Sequence, residues 1–108
     1  MAHADIRVGD IGTAFRLTIV DEVEDVVNIS AATTLEIRFN KPDGTSVDQA
    51  AAFRTDGTDG VIEYVTVSGD LDMPGKWQIQ AYIVTPVGEW RSEVEVFWVK
   101  ENLPAPTP

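Results

Sequence analysis

Residues 68–85, SGDLDMPGKWQIQAYIVT, constrain the fold more than any other part of the chain. The first half is turn chemistry: Ser68, Gly69, Asp70 and Asp72 gather ahead of Pro74-Gly75, a dipeptide that marks a tight corner. The second half switches to period two. Trp77, Ile79, Ala81 and Ile83 point one way, and Gln78, Gln80 and Tyr82 the other. This is a half-buried strand entered through a corner, with a large aromatic at its mouth. Such a strand needs an apolar layer to lie against, so the rest of the chain must supply a second sheet or a helical face.

It supplies strands. Residues 5–8 read as a short edge strand, ended by Gly9-Asp10. In residues 13–20, Phe15, Leu17 and Ile19 alternate with Arg16 and Thr18. Residues 33–40 alternate most cleanly, with Leu35, Ile37 and Phe39 inward and Glu36, Arg38 and Asn40 outward. Lys41-Pro42-Asp43-Gly44 turns the chain into a weaker returning strand, 45–54. Two Asp-Gly pairs in 55–60 then lead to the β-branched strand 61–67. After 68–85, Pro86-Val87-Gly88 turns into the closing strand 89–100, read with Val94, Val96 and Trp98 inward and Phe97 outward. No stretch carries a helical period. About seven short strands with turns between them predict an all-β antiparallel sandwich over residues 1–102. The prolines of 103–108 predict an extended tail outside it.

Charge excludes two classes of partner. Eighteen acidic against eight basic residues give a net charge of −10. Nucleic-acid binding rests on Lys and Arg displacing counterions from phosphates, and here the basic residues are scattered singly. An anionic membrane surface is disfavoured for the same reason. No apolar run is long enough to span a bilayer as a helix, and residues 1–10 lack the pattern of a secretory signal. With no cysteine, neither a disulfide nor a thiolate metal site is available.

The residues give no reaction to assign. The single histidine, His3, lies near the start with no nucleophile beside it, and no phosphate loop, nucleophile elbow or zinc motif is present. An enzyme is not expected, nor a cofactor. Asp21, Glu22, Glu24, Asp25, Asp56 and Asp59 could offer oxygens to calcium, but their spacing matches no calcium loop and reads as solvated turns. Glu93 and Glu95 share a strand face, where acids commonly guard against edge pairing.

The aromatics say more. Trp77 and Trp98 are expected in the core. Trp90, beside Gly88 and Arg91, reads either as a core cap or as an exposed platform for a partner or sugar ring. Tyr82 and Phe97 are expected together on the face opposite the core, where two outward aromatics suggest contact with another chain.

Three segments carry a resemblance: 6–13 (IRVGDIGT), 30–33 (SAAT) and 39–45 (FNKPDGT). Together with Asp56-Gly57-Thr58-Asp59-Gly60, residues 71–80 and the 90–99 strand, they resemble small immunoglobulin-like structural proteins of tailed phages and prophages. The likeness extends to the N-terminal immunoglobulin-like domain of phage upper baseplate proteins. It implies a virion structural protein, made in the bacterial host cytoplasm, that docks on capsid or tail chains or on copies of itself. Capsid decoration is the favoured placement, with the tail, neck or baseplate as the alternative. A module gripping a host glycan or protein, and a calcium-stabilised adhesin-like domain, remain as other classes. Tyr82, Phe97, Trp90 and the tail prolines Pro104 and Pro106 are the candidate partner-binding residues.

Overall fold

The computed structural model describes residues 6–102, so His3, Pro104 and Pro106 lie outside the described residues. Eight strands form two antiparallel sheets: β1 (Ala14–Thr18), β2 (Thr34–Asn40), β3 (Ser46–Ala50), β4 (Ala52–Phe53), β5 (Val61–Val65), β6 (Gly75–Thr85), β7 (Gly88–Arg91) and β8 (Glu95–Val99). One sheet has the order β1-β5-β4. The other runs β3-β2-β6, with β7 and β8 in succession along the far side of β6. The chain crosses between sheets after β1, after β3 and after β5, a Greek-key pattern of a β-sandwich. Eight strands appear where about seven are expected because two of them are broken. The returning strand changes sheets at Ala51, whose N–H still bonds Leu35 while Ala52 pairs with Glu63. The closing strand breaks at residues 92–94. The 5–8 segment contributes one parallel bridge, Arg7 to Lys100.

The core lies where the inward phases of the strands meet. Phe15, Leu17 and Ile19 from the first sheet face Ile37, Phe39, Trp77, Ile79, Ala81 and Ile83 from the second, and all are buried. Burying side chains of this size stabilises the fold by roughly 1.5–3 kcal/mol each. Trp77, 1% exposed, anchors the corner as expected: its indole N–H donates to the Met73 carbonyl at 3.1 Å, tying the strand to the turn that feeds it. Gly75 makes that corner possible. Its φ is +128°, and a Cβ there would stand 2.8 Å from the Pro42 ring.

The closing strand departs from its expected phase. Tyr82 lies opposite Arg91 and Ile79 opposite Glu95, so two residues of β6 face three of the partner strand. That extra residue is a β-bulge, and it swings every later side chain to the opposite face. Phe97 therefore points inward, stacked on Trp77 at 5.8 Å and 4.7 Å from Phe15. Trp98 points outward and is 61% exposed, as are Val94 and Val96 to lesser degrees. The expected placements of Phe97 outside and Trp98 in the core are both corrected. Ser92 satisfies the broken ladder. Its Oγ accepts the Ala81 N–H at 2.8 Å and donates to the Glu93 carbonyl at 2.9 Å, while the Gln80 amide donates to the Ser92 carbonyl.

Candidate docking surfaces

The outward face of the larger sheet divides into a charged half and an apolar half. In the charged half, the Arg38 guanidinium grips Asp48 across β2 and β3 through two bonds, 2.7 and 3.0 Å. Those bonds hold the Asp48 carboxyl below its ordinary range. Tyr82 sits beside them, as its alternation requires. The Arg91 guanidinium lies 4.8 Å over its ring, and a hydrogen bond with Glu89 pushes its phenol up. Tyr82 is thus committed to partners within its own sheet.

The apolar half runs along the edge. Val94, Val96 and Trp98 stand on one side of the closing strand, opposite Gln78 and Lys76 of β6. Among the described residues no strand pairs with the free edge of β8 until Lys100, whose N–H and carbonyl bond Ile6 and Val8. A free edge carrying exposed apolar side chains is a surface on which another chain can settle.

Of the described residues expected to bind a partner (Tyr82, Phe97 and Trp90), Tyr82 alone lies on the outward face. Phe97 belongs to the core. Trp90 pairs with buried Ile83, is half-buried against the core and folds its ring over Gly88, where a Cβ would lie 3.3 Å away. It caps one end of the sandwich and forms no open platform. Val94, Val96 and Trp98 were missed because the end of the strand, Val96 to Val99, is apolar in both phases, so periodicity there cannot detect a one-residue insertion.

A second feature has no signal in periodicity at all. The inward phase of β3, Val47 and Gln49, projects past the smaller sheet, which offers only the two-residue β4 to cover it. The overhang leaves a cleft of about 140 Å³ against the turn before β6. Phe39, Leu71 and Trp77 line its apolar floor. Asp70 reaches in from the turn. Its Oδ2 accepts the Tyr64 hydroxyl at 2.5 Å and the Val67 N–H at 2.8 Å, and its Oδ1 only a long 3.3 Å bond from the Gln49 amide. Burial, then the bond to Asp70, pushes the Tyr64 phenol up to about 12. At the mouth Lys41 is held by Asp72 at 2.9 Å.

The acidic loops spend their carboxylates on themselves. Asp21 accepts the N–H groups of Val23 and Asp25, Asp56 the N–H and the hydroxyl of Thr58, and Asp59 the Val61 N–H and the Thr55 hydroxyl. Among the described residues no group of three or more His, Cys, Asp or Glu is placed to hold a metal ion. Comparison with known proteins gives no match: no family model, no curated protein and no solved structure is significantly similar to this chain.

Proposed function

We propose that this protein is a non-enzymatic structural component of a phage virion that docks on neighbouring virion chains through the edge and outward face of β8. The observation that carries docking is the stripe of Val94, Val96 and Trp98 on a sheet edge that no strand pairs among the described residues. Three aligned apolar side chains, one of them a tryptophan, provide the kind of anchor that central interface residues supply. The phage setting comes from the sequence resemblance, and within it capsid decoration is the reading we favour over tail or baseplate placement. The net charge of −10 disfavours close packing of like copies and favours a partner of opposite charge.

Particles assembled with Trp98→Glu or Val96→Glu in place of the wild-type chain test the reading. Both variants should fold with unchanged circular dichroism and yet be lost from purified particles. Wild-type incorporation of both would remove this face as the dock. Light scattering across a concentration range sharpens the choice of partner: a monomer points to a different chain, a discrete oligomer to self-association.

A further inference from the structure

We infer that the cleft between β3 and the 66–71 turn is a receptor for one arginine side chain of a partner chain. This rests on the docking reading in taking the ligand from a neighbouring protein. The charges in the cleft are unequal in a telling way. Lys41 has its counter-ion in Asp72, 2.9 Å away. Asp70 has none: the groups that bond it are a tyrosine hydroxyl, a backbone N–H and a glutamine amide, all neutral. Oδ2 takes two short bonds, whereas Oδ1 is left with one long one from Gln49, and Asp70 and Gln49 both line the cleft. A carboxylate in such a setting favours a cation, and the negative field of the whole domain draws cations toward it.

The remaining lining selects among cations. An apolar floor of Phe39, Leu71 and Trp77 suits a stem of methylene groups, which a metal ion or ammonium ion lacks. A guanidinium is also more weakly hydrated than an ammonium, so it enters a lining of this kind at lower desolvation cost. The volume fits as well. About 140 Å³ is close to the roughly 150 Å³ of an apolar cavity that holds a benzene ring, enough for one side chain and too little for a larger ligand. The site lies between the sheets, apart from the Trp98 stripe, so it would add a second, charge-specific contact to the apolar dock.

N-acetyl-arginine methylamide titrated into the ¹⁵N-labelled protein tests this without any virion partner. We expect saturable shifts confined to the amides of Gln49, Gly69, Asp70 and Leu71 and to the Trp77 indole N–H. The lysine analogue should bind at least several-fold more weakly, and the norleucine analogue not at all. Asp70→Asn should weaken binding at least tenfold. Because that substitution also touches the turn, Gln49→Lys serves as the second variant: it leaves the bonds of Asp70 to Tyr64 and Val67 in place and presents its own ammonium to Oδ1. It should abolish binding while the protein stays folded. Shifts that do not saturate, equal binding of the three analogues, or binding that survives both variants would overturn the inference. Retention of Trp98→Glu in particles would count against the docking reading alone and leave these titrations unchanged.

Discussion

β2 and the closing strand, residues 88–99, flank β6 on opposite sides and read alike in sequence, yet only one keeps its phase. In β2 every apolar residue is odd-numbered, so Leu35, Ile37 and Phe39 turn inward together and the polar set turns outward. In the closing strand Trp90 and Ser92 face in, then Phe97 and Val99 face in, and the parity changes between them. The difference lies in redundancy. A strand that is apolar on one phase has one way to lie on a core, whereas one that is apolar on both phases can tolerate a bulge. The bulge also creates the exposed stripe, because it moves one tryptophan out as it moves a phenylalanine in.

The largest effects should come from the side chains whose phase the two strands dispute. Trp77→Ala should cost about 3–5 kcal/mol in urea unfolding, whereas Trp98→Ala should stay within about 0.5 kcal/mol. Equal costs would return Trp98 to the core. Phe97→Ala should cost about 3 kcal/mol, since its ring fills the space between Phe15 and Trp77. Next comes the bulge itself. Ser92→Ala leaves the buried Ala81 N–H without its acceptor and should cost about 1–3 kcal/mol. A neutral Ser92→Ala would mean that the ladder closes there without the side chain.

Smaller effects follow pH. Tyr64 titrates near 12 in the fold against about 10 in the unfolded chain. A raised pKa means that its contribution is complete below pH 10 and is lost as the pH climbs toward 12. The stability gap between wild type and Tyr64→Phe should therefore narrow across that window. A constant gap would separate the phenol from Asp70. For Asp48 the sign is opposite: its carboxyl is held low by Arg38, so its contribution is present above about pH 4 and fades as the pH falls. Asp48→Asn should slightly flatten the acid side of the melting-temperature profile. The pair is exposed to solvent, so the effect should be the smallest of these and should shrink further in salt.

Much of this molecule was legible in the order of its residues. Pro74-Gly75 followed by a period-two run placed β6 and its buried Trp77. The single-phase patterns of β1 and β2 fixed which of their faces meet the core, and the Asp-Gly and Pro-Asp-Gly turns set the strand spacing. These features are local: alternation and turn conformation depend on a few consecutive residues and survive in any sheet. Three features were decided only by tertiary structure. The bulge at 92–94 depends on how β6 pairs with a strand that fits in either phase. The outward place of Trp98 follows from that pairing. The cleft at Asp70 exists because β3 overhangs a sheet that ends in a two-residue strand, and the edge of one sheet relative to another is not written in the periodicity of either.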